Sequence, residues 1–404
     1  MGVSGFKKLL NYLGVAPNIT YLSNCSEERC VVDLSQLVHK KCKGLRGNGY
    51  DMKRSDGKIV SHIYTAFSIT LRLLELGLKP CYIFDGKAPA EKKIILEERK
   101  NTKHNAQTAY NAIIDKTSSE AKKNYKRCFH MNYHQWAECR KVFDLMGIPF
   151  IVAMGEADQQ CAAISAYYKI STLTEDSDIL VFGGKKIFSN FSVKDGTVTE
   201  IDRKDILEHM LIKANEILCA HNMPQLEKIE HAHFVNFCVL MGTDYKKKRG
   251  IGCRIFGIST ERMFELFILN GMSIELFVNN IKQQYGDIVK IPQNFVKTCE
   301  EIKSIYMESE VINPEDINIY MTKPNESELV NFLCDENEFD RHYVLSKMNI
   351  LRKYKSEYLN NSNCIAKIGC SSMNDFEISP QSQSYIEYID SLLMSSLELC
   401  TITC

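Results

Sequence analysis

The sequence predicts an α/β fold, in which a mostly parallel, twisted sheet carries helices on both faces. Between residues 28 and 192, short apolar runs such as CVVD and CYIF alternate with longer segments of helical periodicity. This alternation is typical of successive βαβ units, whose connections place helices against both faces of one sheet. Several of the apolar runs end in an acidic residue, and ligands bind at the carboxyl ends of the strands in such sheets. The sequence therefore predicts an acidic site along one edge of the sheet.

The composition limits the class of protein. The 404 residues include 50 basic and 50 acidic side chains, which cancel to no net charge. Basic residues concentrate in 87–104, 122–127 and 246–254, a distribution that fits a polyanion-binding face beside a cation-binding pocket, although a charged run is usually solvated surface. The 16 cysteines form no CxxC pair, so we expect reduced, intracellular thiols. No apolar run approaches the roughly 20 residues of a membrane span, so we expect a soluble protein without a membrane partner.

The first elements follow from apolar periodicity. Residues 1–14 begin with a glycine-rich end and continue as a short helix with one apolar side, formed by Phe6, Leu9, Leu10 and Leu13. A strand that ends at Asp33 leads into the helical segment LSQLVHKK. A glycine-rich, basic loop over 43–58 then precedes a helix at about 59–77. The next predicted strand, KPCYIF, ends at Asp85 and a glycine.

The middle of the chain contains one polar stretch and one further acidic pair. Residues 87–127 have the composition of exposed helices joined by a mobile segment. A helix is predicted at 133–147, and the strand IPFIVA then leads into a helix that carries Glu156 and Asp158 in its first turn. Acidic residues near a helix N-terminus also stabilise the helix dipole, so this pair alone has a purely structural interpretation.

Two aspartates, Asp176 and Asp178, directly follow the predicted strand STLT. In an extended segment alternate side chains point the same way, so we expect both carboxylates to enter one space at the strand's end. Like charges at this range raise each other's pKa unless a cation lies between them. For the pair alone, a solvated acidic turn is the alternative. The full set expected to meet in one crevice is Asp33, Asp85, Glu156, Asp158, Asp176 and Asp178. A β-turn is predicted at 194–196.

A helix–hairpin–helix lobe is predicted for the segment that follows. The apolar run HAHFVNFCVLMG is helical in pattern, and Asp244 after it is a seventh acid beside the basic run Lys246, Lys247, Lys248 and Arg249. Gly250 and Gly252 lack side chains, so backbone N–H groups there can approach a phosphate, although glycines also simply end helices. Helices are predicted near 295–309, 326–334 and 338–355, followed by a disordered tail with a weak helix at 384–399.

The ordered motifs resemble those of the XPG/flap-endonuclease superfamily of structure-specific 5′ nucleases. They are MGVSGFKKLL, VVDLS, YIFDGKAP, GEADQQCAA, TEDSDILVFGG and MGTDY…RGIG, and the resemblance covers about residues 1–355. The stretch that begins EVINPEDINIY resembles the carboxyl-terminal wrap of flap endonucleases. By contrast, TEDSDILVFGGKKIF and LVHKK are more similar to the related 5′-to-3′ exonuclease branch. The resemblance implies the PIN-like 5′-nuclease fold and leaves the branch open.

The resemblance also implies a division of the chain. Its expected parts are an N-terminal nuclease region (1–100), a helical cap or arch (101–132), an internal nuclease region (133–229), a helix–hairpin–helix region (230–280), C-terminal helices on the core (281–355) and a disordered tail (356–404).

Carried over residue by residue, the resemblance implies two bound Mg²⁺ ions, with Mn²⁺ as a substitute. The implied ligands are Asp33, Asp85, Glu156, Asp158, Asp176, Asp178 and Asp244. The implied catalytic basic pair is Lys92 and Arg99, which, seven positions apart, fall on one face of a helix, where a solvated face is the alternative.

The implied DNA contacts involve both ends of the nuclease. His39 stands where the family stacks a ring on a base, although a lone histidine at a helix end is more often structural. The other implied contacts are Gly2, Lys246, Lys247, Lys248, Arg249, Gly250 and Gly252, with a monovalent cation at the Gly250–Gly252 hairpin. The hairpin is one residue shorter than is usual in the family, which puts its phosphate register in question.

The implied function is a Mg²⁺-dependent endonuclease that cleaves 5′ flaps or 5′ ends of branched duplex DNA in replication, repair or recombination. A 5′-to-3′ double-strand exonuclease and an inactive DNA-structure-binding scaffold are the alternatives. A nucleotide-binding enzyme is disfavoured, because no GxGxxG or Walker-type loop follows a strand. The resemblance further implies a monomer in the nucleus, or in the host nucleus for a viral protein. A sliding-clamp motif is unclear, since Ile389 and Asp390 stand where two aromatic residues belong.

Overall fold

The computed structural model describes residues 2–25, 28–87, 92–245, 257–286, 289 and 291–354. All of them belong to one compact unit. The tail predicted from residue 356 lies outside the described residues. So do the hairpin positions predicted to contact DNA or a monovalent cation, which are Lys246, Lys247, Lys248, Arg249, Gly250 and Gly252.

Seven strands of the described residues form one sheet. They are β1 (Asn18–Tyr21), β2 (Arg29–Asp33), β3 (Lys79–Phe84), β4 (Phe150–Val152), β5 (Ser171–Leu173), β6 (Lys186–Ser192) and β7 (Thr197–Asp202). Their order across the sheet is β1-β7-β6-β5-β2-β3-β4. The five strands from β6 to β4 are parallel, whereas β7 and β1 are antiparallel to their neighbours. The predicted mostly parallel sheet is confirmed.

Fifteen α-helices accompany the sheet within the described residues. The first nine are α1 (Phe6–Leu13), α2 (Leu34–Gly47), α3 (Ser61–Glu75), α4 (Lys93–Ala112), α5 (Ser119–Arg127), α6 (Tyr133–Met146), α7 (Ala157–Tyr168), α8 (Asp178–Val181) and α9 (Arg203–Ala220). The others are α10 (His231–Met241), α11 (Thr260–Leu269), α12 (Ile274–Tyr285), α13 (Phe295–Met307), α14 (Glu326–Val330) and α15 (Arg341–Arg352). A π-helical turn, Asn331–Glu336, follows α14. None of these helices is long and apolar enough to cross a membrane.

The helices cover both faces of the sheet, as the sequence predicts. On one face, the β3 residue Tyr82 stacks on Phe143 of α6, with ring centroids 4.2 Å apart, and its hydroxyl bonds Thr70 of α3 at 2.8 Å. On the other face, Val31 and Ile83 join a core that includes residues of α1, α7, α9 and α10. Because both faces are buried, the central strands β2 and β3 are mainly apolar and buried along their length, and acidic residues stand at or just after their ends.

Register places the ends of the central strands side by side. Asp33, the last residue of β2, is opposite Ile83 of β3, and Ile83 is opposite Ile151 of β4. Val32 of β2 is opposite Leu173, the last residue of β5. The segments that leave β2, β3, β4 and β5 therefore emerge at one edge of the sheet, and each of these segments carries acidic residues.

Several predicted boundaries agree with the structure. In α1 the buried residues are the four predicted, Phe6, Leu9, Leu10 and Leu13. Helix α6 ends at Gly147, which has a φ of 68° and closes the helix in a left-handed conformation. The turn at 194–196 lies between β6 and β7.

The loop predicted over 43–58 is wrong in its first part, because α2 continues to Gly47. Arg46 in the last turn of α2 makes an ion pair with the buried Asp51, at 3.0 Å between Nη2 and Oδ2. A contact of this kind stabilises the helix end from outside the helix, and local periodicity does not reveal it. Helix α14 is also shorter than predicted, since the chain changes to the π-helical turn after Val330.

Candidate active site

The Asp33 carboxylate is held between the ends of β2 and β5. Asp33 is also the N-cap of α2, and its Oδ1 accepts a hydrogen bond from the Gln36 backbone N–H at 3.4 Å. Its Oδ2 accepts one from Thr174 Oγ1 at 3.2 Å, just after β5. The strand–helix junction thus fixes Asp33 in a buried position, because capping satisfies a helix N–H group that would otherwise have no partner.

Asp85 and the acids of α7 are brought together by a close approach of two chain segments. The Gly86 N–H donates to the Gly155 carbonyl at 2.8 Å, and a Cβ at Gly86 would lie only 1.9 Å from the Ala153 carbonyl oxygen. Only glycine permits this contact. As a result Asp85 Oδ1 accepts a hydrogen bond from the Ala157 N–H at 3.0 Å, in the first turn of α7. Ser35 Oγ donates to the other oxygen of Asp85 at 2.5 Å.

Asp176 and Asp178 converge by a route that differs from the predicted one. The segment is not extended there, because α8 begins at Asp178, so strand alternation does not orient the pair. Instead, the Asp178 N–H donates to Asp176 Oδ1 at 3.2 Å. A Cβ at Gly2 would lie 2.2 Å from Asp176 Oδ1 and 2.8 Å from Asp178 Oδ1. The two oxygens therefore face the same point, and the amino-terminal segment closes over them.

The two predicted basic residues each contact one acid of the set. Lys92 Nζ lies 2.8 Å from Glu156 Oε2, and Arg99 Nη2 lies 3.4 Å from Asp244 Oδ2. Lys92 directly precedes α4 as its N-cap, and Arg99 lies within α4. The Lys92 side chain is 10% exposed and that of Arg99 is 43% exposed. Lys92 is therefore an enclosed cation, whereas Arg99 stands at the solvent boundary.

The acids differ in burial. Asp33, Asp176 and Asp178 are buried, Glu156, Asp158 and Asp244 are half-buried, and Asp85 is exposed. Burial, with a smaller effect from the carboxylates of Asp85 and Asp176, raises the pKa of Asp33 to about 8. Enclosure by the protein, with nearby carboxylates, also raises the pKa of Asp176 and raises those of Asp158 and Asp178 well above the ordinary value. A cluster of this kind is stabilised by protons or by cations.

The acids form a set of oxygen donors that differ from a preformed metal site in their spacing. Within the described ranges, no group of three or more His, Cys, Asp or Glu side chains is arranged to hold one. Lys92 and Arg99 each place a positive group against one acid of the set. However, Asp178 Oδ1 is buried and has no hydrogen-bond partner among the described residues. A buried oxygen without a partner is costly, and carboxylate oxygens are the ligands that Mg²⁺ prefers, so the chemistry of the set fits a hard cation.

His39 is enclosed by aromatic neighbours. Its ring centroid lies 5.2 Å from that of Phe129 and 6.0 Å from that of Trp136. Burial, assisted by nearby Lys43 and Lys103, lowers the pKa of His39 to about 4, so the ring is neutral at physiological pH. The surrounding rings fix its orientation, and a contact between His39 and a DNA base stays a prediction.

Some residues that hold the acids carry no motif of their own. Gln36 donates from Nε2 to Asp176 Oδ2 at 3.4 Å, and the Tyr245 hydroxyl donates to Glu156 Oε2 at 2.9 Å. The nearest signal in the sequence is their place beside an acid, since Gln36 lies three residues after Asp33 and Tyr245 directly follows Asp244. Polarity or aromaticity next to an acid is too common to single them out.

Two regions of the chain match domain models of one protein family, and full-length relatives match most of the chain. Residues 1–106 match the XPG N-terminal domain, and residues 147–244 match the XPG I-region. Flap endonuclease 1 of Nematostella vectensis is 30% identical over 358 residues, covering 87% of this chain and 88% of that protein. Human flap endonuclease 1 is 28% identical over 358 residues, covering 87% of each.

Solved structures share the fold. Flap endonuclease-1 from Methanococcus jannaschii aligns with a TM-score of 0.59 at 21% identity, covering 86% of this chain and 97% of that one. The catalytic core of Rad2 in complex with DNA substrate aligns with a TM-score of 0.60 at 18% identity, covering 87% and 100%.

Proposed function

The chain belongs to the XPG/flap-endonuclease superfamily, and we propose from this that it is a structure-specific nuclease that cleaves 5′ flaps of branched DNA in replication and repair. The reaction is hydrolysis of a phosphodiester bond. The observation that carries the proposal is the cluster of carboxylates at one edge of the parallel sheet, with Lys92 and Arg99 in contact with two of its members. Among proteins of the same fold, human GEN1 was solved in complex with Holliday junction DNA, which is also branched.

The carboxylates would hold two divalent cations, Mg²⁺ or Mn²⁺. We assign Asp85, Glu156 and Asp158 to one ion and Asp176, Asp178 and Asp244 to the other, with Asp33 nearby. Bound cations would supply Lewis acidity for the activation of water and for the charge on the leaving oxygen. The unpartnered Asp178 oxygen and the raised pKa values of Asp33, Asp158 and Asp178 support this assignment. A bound cation would give that oxygen a partner and would offset the repulsion between the carboxylates.

Lys92 and Arg99 would act on the substrate phosphate. Each now lies against a carboxylate, Glu156 or Asp244. When cations occupy the carboxylates, these ion pairs lose much of their attraction, and both basic groups become free to meet the scissile phosphate. Positive groups held ready at this place would stabilise the charge that develops on the phosphate in the transition state.

Substrate choice would follow from DNA shape. The hairpin glycines and the run Lys246–Arg249 would contact the duplex through its phosphates, so affinity should fall steeply with salt. Helices α4 and α5 would lie over the single-stranded 5′ end. We further propose a nuclear monomer, and the tail offers no clear motif for binding to a sliding clamp.

The central test is Asp178→Asn on a 5′-flap oligonucleotide with Mg²⁺. Loss of one buried carboxylate should lower the cleavage rate roughly a hundredfold or more, since a metal ligand is removed, while DNA binding is retained. Asp205→Asn, which changes an exposed aspartate in the first turn of α9, is the matched control and should cleave normally.

Cleavage by Asp178→Asn at the wild-type rate would contradict the proposed site. A wild-type protein that binds the flap but never cuts it would instead identify an inactive DNA-binding scaffold. Mapping the cut positions on a double flap and on a blunt duplex distinguishes the flap endonuclease from a 5′-to-3′ exonuclease of the same superfamily.

A further inference from the structure

Tyr245 contacts both an acidic and a basic residue of the proposed site. It follows Asp244 after α10 and is fully buried. Its hydroxyl donates to Glu156 Oε2 at 2.9 Å. The Lys92 ammonium lies 2.8 Å from the same oxygen of Glu156 and 4.4 Å from the centre of the Tyr245 ring. One aromatic side chain thus contacts both members of the Lys92–Glu156 pair.

The Tyr245 ring is fixed in orientation by its neighbours. Phe182 and Tyr306 each meet it edge to face, with ring centroids 6.4 Å and 5.4 Å away. Edge-to-face packing of this kind is favourable and directional. Because Tyr245 is fully buried and its ring is held, its hydroxyl cannot reorient without disturbing the core.

The geometry gives the two donors to Glu156 different mobilities. Lys92 has a long, flexible side chain at the start of α4, and its role on the substrate phosphate requires its ammonium to leave Glu156. The Tyr245 hydroxyl stays in place when this happens, so Glu156 Oε2 keeps a hydrogen bond. The electron-rich ring face meanwhile attracts the ammonium beside the site, at a distance typical of cation–π contacts.

We propose that Tyr245 is a positioning residue, which holds Glu156 for cation binding when Lys92 moves to the phosphate and keeps the Lys92 ammonium beside the site through its ring. The inference rests on the proposed function, because it assigns Glu156 to a cation and Lys92 to the phosphate. It separates two roles within one side chain, and the two can be removed one after the other, first the hydroxyl and then the ring.

The test compares two substitutions of Tyr245. Tyr245→Phe removes only the hydroxyl, and we expect a fall of about tenfold in kcat, little change in KM and a Mg²⁺ requirement several-fold higher, because Glu156 is no longer oriented. Tyr245→Leu also removes the ring face, and we expect a further fall in kcat. Tyr82→Phe is the matched control, since it removes the hydroxyl of a buried tyrosine that bonds Thr70 at 2.8 Å. This control should lose stability but keep its kcat and its Mg²⁺ requirement.

A second measurement does not depend on cleavage. Ca²⁺ or Mg²⁺ should raise the Tm of the wild type and of Tyr82→Phe by similar amounts, and the Tm of Tyr245→Phe by clearly less. A wild-type kcat and a wild-type cation-induced Tm shift in Tyr245→Phe would overturn the inference. A wild-type protein that fails to cleave flap DNA would overturn the proposed function instead, so the two failures are distinguishable.

Discussion

At the scale of single residues, Gly2 is a position where the site leaves no room for a side chain. Its φ is 91°, and an added Cβ would lie 2.2 Å from Asp176 Oδ1, 2.7 Å from Ser177 Oγ and 2.8 Å from Asp178 Oδ1. The next residue is tied down as well, since the Val3 N–H donates to Ser177 Oγ at 3.2 Å. A side chain at Gly2 must therefore displace either the amino-terminal segment or the two aspartates.

We expect Gly2→Ala to lower flap cleavage at least tenfold, because misplacing catalytic groups by about 1 Å is costly. Gly14→Ala is the matched control, as Gly14 has a φ of 76° but open space around its Cβ position. Both substitutions place an alanine at a positive φ, so backbone strain should lower the Tm of both variants. Equal cleavage rates for the two variants would show that the contact between Gly2 and the aspartates is not needed.

The residue scale also shows what a sequence can predict about the site. Asp33, Asp85 and Asp176 are predictable because each follows an apolar strand, and parallel strands end at a common edge. Tyr245 and Gln36 are not predictable in this way, because their role comes from contacts with Glu156 and Asp176, far away in the chain. Local pattern reveals the acids proposed as ligands, whereas only the fold reveals what holds them.

At the scale of secondary-structure elements, a buried ion pair fastens α5 to the end of α2. The Arg46 guanidinium contacts Asp51 through Nε at 3.1 Å and Nη2 at 3.0 Å. Its centre also lies 4.5 Å from the Tyr125 ring and 4.9 Å from the Phe129 ring. The Tyr125 hydroxyl, from α5, donates to Asp51 Oδ2, the oxygen that Arg46 Nη2 also contacts. The position of α5, and with it that of α4, thus depends on a polar cluster outside the active site.

Asp51→Asn should destabilise this junction, because Arg46 is left in a largely buried place without its counter-charge. Removing one partner of a buried pair costs about 3 to 5 kcal/mol, so we expect a loss of that order in the free energy of unfolding. Amide hydrogen exchange should become faster in α5 and in the last turn of α2. Asp56→Asn provides the comparison, since its pair with Arg54 is 50% exposed at the aspartate and water screens it, so this variant should lose little stability. Equal losses in the two variants would contradict this assignment.

The same cluster explains why some element boundaries were mispredicted. The sequence predicts a loop at the end of α2, because glycines and basic residues dominate 43–58. Arg46 instead finds its partner in Asp51 and its ring contacts in α5 and just beyond it. The short helix α8 was likewise hidden by the apolar run that follows Asp178. Contacts between elements decide these boundaries, whereas elements with strong periodicity, such as α1 and α6, agree with prediction.

At the scale of the whole molecule, the acids come from segments spread between residues 33 and 244, and the fold brings them within electrostatic reach of one another beside one edge of the sheet. This arrangement concentrates negative charge in a place that is partly removed from water. Folding therefore brings an electrostatic cost that protons or cations must offset. The stability of the entire unit should depend on both pH and divalent cations.

The direction of this dependence follows from Asp33. Its pKa is raised from 3.8 to about 8 on folding, so between these pH values the folded protein holds a proton that the unfolded chain has lost. Without divalent cations, stability from this group is therefore present at low pH and is lost as the pH rises toward 8. The raised pKa values of Asp158, Asp176 and Asp178 act in the same direction.

We expect Mg²⁺ to replace those protons, so its stabilising effect should grow with pH. In thermal unfolding, saturating Mg²⁺ should raise Tm by about 5 °C near pH 8 and by about 1 °C near pH 5, relative to EDTA. Asp33→Asn should flatten the pH dependence measured in EDTA, because one of the titrating carboxylates is gone. A Mg²⁺ effect of the same size at both pH values would show that protons and cations do not compete for these carboxylates. These carboxylates would then not be the site at which Mg²⁺ binds.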